Sequence, residues 1–234
     1  MAFLKGFLSP LPFVAVTAAL LLLTAGLSAG VWRWPSAWVF LAVYGGMSMV
    51  GYGLLAVLRP QSYRVRQQGM VAKAEKQQPL IDAIGLVGYA AWMAAWFAFI
   101  PLDVLRLRLL PPPPSVLQAA GLAAVGAGLL IAHLAIAQNR YAAPTIHDQS
   151  AEGQGVIDTG LYRFVRHPLY AGLLLVYTGA ALWMGSSAAT IASVGFLVMT
   201  LARIVIEERW LGEHLPAYGD YTRRVRDRLI PYLL

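Results

Sequence analysis

The 234-residue chain has no cysteine, which excludes disulfides, thiolate metal sites and a cysteine nucleophile. Charge is scarce: 12% of residues are charged, against about 25% in ordinary globular chains. So small a charged fraction cannot clothe the surface of a soluble domain. Histidine is equally sparse. His133 falls in an apolar run and His147 and His214 in loops, and their spacing makes no metal set. The strand–turn–helix setting of a dinucleotide loop is missing around Gly153-Gln154-Gly155, so no Rossmann domain is expected. Ser186-Ser187 has neither His nor Asp near it in sequence, which gives no case for a hydrolase.

What fills the chain is apolar: 59% of residues are hydrophobic, so lipid must be part of the solvent. A bilayer-spanning helix needs about 20 largely apolar residues. Leu11–Val31, Ser36–Leu58, Leu80–Leu102 and Ser115–Ala137 each meet this requirement, with Asp103 at the end of the third run, where a charge costs little. Pro168–Ile206 is too long for one span and breaks at Gly185-Ser186-Ser187 into two short helices of a hairpin. The expected fold is therefore all-α, a polytopic membrane bundle of about six helices. Residues 1–137 form a four-helix N-terminal region, and residues 138–234 form a second region in which the polar residues gather. Gly- and Ala-rich faces suit close helix contacts in lipid, and a homodimer is one use for them.

The net charge of +7 does not point to nucleic acid, because the basic residues lie between apolar stretches and so suit membrane headgroups. With six spans, one side holds Lys5, Arg59, Arg64, Arg66, Lys73, Lys76, Arg140, Arg163, Arg166, Arg209, Arg223, Arg224, Arg226 and Arg228. The other holds only Arg33, Arg106 and Arg108. The positive-inside rule then puts both termini in the cytoplasm, and in a bacterium the protein in the cytoplasmic membrane. The stretch Arg59–Pro79 reads as a helix or loop at the headgroups.

Three polar clusters concentrate in the last 80 or so positions. In Arg166-His167-Pro168-Leu169-Tyr170-Ala171-Gly172, Pro168 suits the first position of a helix, where its missing N–H costs nothing. The free N–H groups and positive dipole end of that helix would face Arg166 and His167. Gly172 would let a ligand or another helix approach the backbone. Arg203 and Glu207 are four residues apart, share a helix face and can pair; an ionised residue in mid-membrane costs about 2.5–3.5 kcal/mol and calls for a reason. The tail from Tyr218 to Pro231 is basic and amphipathic, suited to anionic lipid or to capping a ligand site. Taken one at a time, these residues also fit an interfacial belt of snorkelling side chains.

Together, Arg166-His167-Pro168-x-Tyr170-x-Gly172, then Arg203-x-x-x-Glu207-Glu208 and a tail ending Arg228-Leu-Ile-Pro231, resemble the isoprenylcysteine carboxyl methyltransferase family and its broad bacterial relatives. The resemblance covers about Gly155–Pro231. It implies a membrane enzyme that holds S-adenosylmethionine in a cytoplasm-facing pocket and methylates a lipophilic acceptor. It also implies cofactor contacts from Tyr162, Arg166, His167, Pro168, Tyr170, Glu208, Tyr218 and Arg226, with Gly172 leaving room. Arg203 and Glu207 match the family's pair where donor methyl and acceptor meet. Phospholipid methyltransferases resemble it less at the Arg-His pair, which disfavours a lipid-amine acceptor. An amine or a small thiol nonetheless stays open as the acceptor beside a prenylcysteine-like carboxylate. Two readings of another class are a transporter or channel, and a sterol-reductase-like enzyme using NADPH.

Overall fold

In the computed structural model, described for residues 1–71, 80–145, 149 and 153–233, apolar runs become helices and punctuation residues end them. The helices are α1 (Ala2–Leu8), α2 (Leu11–Ala29), α3 (Pro35–Leu58), α4 (Pro60–Val71), α5 (Leu80–Leu102), α6 (Ser115–Gln138), α7 (Pro168–Met184), α8 (Ser187–Ala192), α9 (Val194–His214) and α10 (Tyr218–Arg224). No strand occurs among the described residues. Prolines sit in the first turn of α2, α3 and α7, where the lost N–H is free of cost. Gly185 stops α7 in a left-handed conformation, φ 90°, that a side chain would resist.

Among the described residues, five helical stretches are long and apolar enough to cross a membrane: Ala2–Ala29, Pro35–Leu58, Ile84–Leu107, Ser115–Gln138 and Ser187–His214. Pro168–Met184 is a shorter apolar helix. The protein is thus a polytopic membrane helix bundle, as its composition implies. The break at Gly185-Ser186-Ser187 is present, but the second arm is not short: after the six-residue α8, α9 runs for 21 residues. The main partner of α7 is moreover α6, the membrane helix that precedes it in the chain. Backbones approach closely there: a methyl group on Gly128 would lie 2.4 Å from the Gly172 carbonyl oxygen, and one on Gly179 2.5 Å from that of Gly121. Small residues let lipid-embedded helices pack this way.

Pro60–Val71, within the basic Arg59–Pro79 stretch, is helical, whereas Lys73 and Lys76 lie outside the described residues. His147 lies outside them too. His133 is packed, with Nδ1 2.7 Å from the Leu129 carbonyl and its ring edge-on to Tyr52.

Asp103 departs from expectation. It is 2% exposed rather than sitting at a cheap helix end. Its two oxygens accept from Ser186 Oγ at 2.5 Å and the Leu109 N–H at 3.0 Å, which offsets its burial. A π-helical turn, Asp103–Leu107, extends α5 at this point. The core runs through the whole bundle, and its centre is an aromatic layer from four helices: Phe40, Trp96, Phe97, Tyr177 and Phe196. Tyr177 and Phe196 stack with centroids 4.1 Å apart, and Trp96 meets both edge-on.

Candidate active site

At the end of the bundle where α6 finishes and α7 starts, the described residues between the two helices and the C-terminal tail close over the helix ends. Two backbone hydrogen bonds seat the tail: the Arg166 N–H donates to the Asp227 carbonyl at 3.0 Å and the His167 N–H to that of Arg228 at 2.8 Å. The buried Arg166 side chain reinforces this, donating through Nη1 to the Val225 and Arg226 carbonyls and through Nε to Glu208 Oε1 at 2.6 Å. Glu208 also meets His167 Nε2 at 3.2 Å and Arg228 Nε at 3.0 Å. One carboxylate therefore compensates a cluster of basic groups, as a buried guanidinium requires. The tail's apolar face, Tyr218, Tyr221 and Val225, packs with Val156, Leu211 and Leu215. The Tyr221 hydroxyl donates to the Tyr162 carbonyl at 2.8 Å. Burial raises the Tyr162, Tyr218 and Tyr221 phenols above their ordinary value, so they stay neutral.

Beneath this cover lies a cleft of about 900 Å³, part of it open to solvent. Its walls include Tyr162, Arg166, His167, Tyr170, Arg203, Glu207 and Tyr218, seven of the eleven residues expected from the sequence. At its inner end, Arg203 Nε donates to the Tyr170 hydroxyl at 2.8 Å, and that hydroxyl donates to Glu207 Oε2 at 2.7 Å. The expected Arg203–Glu207 couple is thus relayed by Tyr170. Arg203 Nη2 also donates to the Pro144 carbonyl at 2.5 Å.

The other four residues stand elsewhere. Pro168 starts α7 and is buried beside the cleft without lining it. Glu208 points to the tail clamp instead. Arg226 is exposed and contributes only its carbonyl. The space at Gly172 is taken by α6, whose Gly128 carbonyl and Ala132 nitrogen would lie 2.6 and 2.9 Å from an added methyl. Its role here is to admit a helix rather than a ligand.

Sequence reasoning missed Tyr141, Gln149, Trp210 and Tyr221, which also line the cleft, as do Gln154 and Gly155 of the glycine-bearing loop. Gln149 is 5% exposed and donates to the Tyr141 carbonyl at 3.1 Å, while the Tyr141 hydroxyl donates to the Gly153 carbonyl at 2.5 Å. Gln149 Oε1 and the Tyr218 hydroxyl are buried in the cleft walls without a hydrogen-bond partner. Such orphaned polar atoms are costly and suit a ligand bearing donors. No group of acidic residues or histidines among the described residues could hold a metal.

Fold and cleft define a polytopic membrane protein with an aromatic, carboxylate-bearing pocket at one end of its bundle. Residues 116–218, a little under half the chain, match the family model described as phospholipid methyltransferase. That stretch contains nearly all of α6, then α7 to α9 and most of the cleft, so the resemblance noted from the motifs holds at this level. The end of the tail lies beyond the match. No curated protein matches the chain.

Proposed function

We propose that the protein is an S-adenosylmethionine-dependent methyltransferase acting on a lipophilic acceptor, with both termini and the cleft in the cytoplasm. One observation carries the reading. A second, largely apolar cavity lies between the helices and meets the polar cleft at Ala143, Leu169, Tyr170 and Arg203, which line both. A water-soluble donor and a membrane-delivered acceptor can therefore reach the same residues from different solvents.

The cleft fits the cofactor's chemistry. Glu207 and the faces of Tyr170, Trp210 and Tyr218 suit a sulfonium cation, and Gln149 Oε1 and the Tyr218 hydroxyl suit its amino and hydroxyl groups. When bound, S-adenosylmethionine supplies the electrophilic methyl group. The protein's own task is alignment, holding acceptor and donor about 3 Å apart and in line. The Arg203 guanidinium at the junction favours a carboxylate acceptor, already ionised at neutral pH. For an amine or thiol, Glu207 is the base within reach. The prenylcysteine-like carboxylate is the acceptor class that the Arg166-His167 motif and Arg203 both favour. The aromatic layer below the apolar cavity argues against a transport path through the bundle.

Calorimetry on folded, detergent-purified protein tests the proposal. S-adenosylmethionine should bind, NADPH should not, and His167→Ala and Glu207→Ala should each weaken binding or turnover. No heat with either cofactor, or heat with NADPH alone, overturns it.

A further inference from the structure

The apolar cavity has a definite floor. Tyr170, Leu173 and Tyr177 lie on one face of α7 and line it in succession, from the polar junction to the aromatic layer. Two turns of helix separate Tyr170 from Tyr177, a rise of about 10 Å. Tyr89, Met93 and Thr200 complete the lower walls, whereas Trp96, Phe97 and Phe196, behind them, do not line the cavity. Those three rings are at most 3% exposed. The layer is also fastened: the Trp96 indole N–H donates to the Ala189 carbonyl at 2.9 Å, and the Tyr177 hydroxyl lies 3.6 Å from Met93 Sδ. A close-packed, hydrogen-bonded ring cluster resists displacement by a flexible chain.

We infer that this layer, with Tyr177 as its upper surface, measures the hydrocarbon tail of the acceptor. The site takes single-tailed amphiphiles with an anionic head at Arg203 and Tyr170, and rejects those whose tail outreaches the floor. The inference rests on the proposed function for the position of the head. Each methylene buried in the cavity strengthens binding about fourfold, and one that meets the floor adds nothing or is resisted.

The experiment uses unbranched alkyl carboxylates from 6 to about 20 carbons, a range wide enough for the tail to outreach a cavity of this depth, with the detergent-purified full chain. Binding is read by calorimetry as the ratio of variant to wild-type affinity at each length, which cancels partitioning into the detergent. Leu173→Phe adds volume halfway down the wall. Its ratio should stay near one for short tails, then fall about fourfold per methylene beyond a shorter limit. Tyr177→Leu opens the floor and should shift the wild-type limit to longer tails. The two variants act in opposite directions, so general damage to the fold cannot imitate both. Ratios independent of length, or limits that move the same way, overturn the inference. The two readings separate cleanly: a length limit without S-adenosylmethionine binding removes the enzymatic reading and leaves the ruler, while methyl transfer without a limit removes the ruler alone.

Discussion

Replacing Glu208 by alanine should release the C-terminal tail while leaving the helices in place. Glu208 is 13% exposed and Arg166 7%, so the carboxylate neutralises a guanidinium that water cannot reach. Removing one partner of a buried ion pair costs about 3–5 kcal/mol, because the other charge is left uncompensated. Arg166 keeps the Val225 and Arg226 carbonyls, which points to the lower end, about 3 kcal/mol. The Arg228 contact adds little, since that side chain is 42% exposed. The Arg166 and His167 amides report the event directly, because their acceptors are the tail carbonyls of Asp227 and Arg228. A 3 kcal/mol loss raises the open fraction, and with it their hydrogen-exchange rate, by about 100-fold. Mass spectrometry of a peptide spanning 164–170 measures it. Glu208→Gln retains an acceptor and should show a smaller increase. Exchange within threefold of wild type in Glu208→Ala would refute the clamp and assign the tail's attachment to Tyr218, Tyr221 and Val225 alone.

Tyr170→Phe deletes the hydroxyl joining Arg203 to Glu207 and should lower methyl transfer about 100-fold with the melting temperature nearly unchanged; equal activity refutes the relay. Gly128→Ala places a methyl 2.4 Å from the Gly172 carbonyl oxygen and should destabilise by about 1–3 kcal/mol, read as a lower melting temperature. At Gly46 nothing lies within 4 Å, so Gly46→Ala should be neutral or stabilising by about 0.5–1 kcal/mol, and a loss there would refute the packing account. The Tyr221 phenol is held above its ordinary value of 10.0 chiefly by burial, so its contribution is intact below pH 10 and is lost as pH rises through and beyond that value. Melting temperature should therefore fall in that alkaline window, and less steeply in Tyr221→Phe.

The spans were legible because hydropathy over 20 or so residues is a local property, and the start of α7 at Pro168 and its stop at Gly185 are local too. The cleft was legible where motif residues ride on helix ends, as Tyr170 on α7 and Glu207 on α9 do. It was not legible where two distant segments must meet. Gln149 and Tyr141 reach the cleft only through their contacts with each other and with Gly153, and Tyr221 only through the register in which the tail pairs with Arg166 and His167. Asp103 looked cheap because its partner, Ser186, is 83 positions away. Gly172 signalled close approach, but a glycine does not say what approaches. Of the two adjacent glutamates, only helix phase decides that Glu207 faces the cleft and Glu208 the clamp.

The shortness of α7 links these features. Its 17 residues rise about 25 Å, less than the roughly 30 Å hydrocarbon thickness. A helix shorter than the bilayer must begin below the headgroups or leave lipid to fill the gap. Beginning below them puts Tyr170 at the depth where an amphiphile's head meets its tail, and leaves a recess above α7 for the loop and tail to roof. The basic groups at the helix start, Arg166 and His167, then stand where water is scarce, and Glu208 becomes necessary to neutralise them. Lengthening α7 by a turn, with three or four alanines after Met184, which lines neither cavity, would test this. If depth sets the site, the added turn should lift Tyr170 towards the headgroups and reduce methyl transfer while cofactor affinity is kept. Unchanged transfer would show that the loop and tail alone position the site.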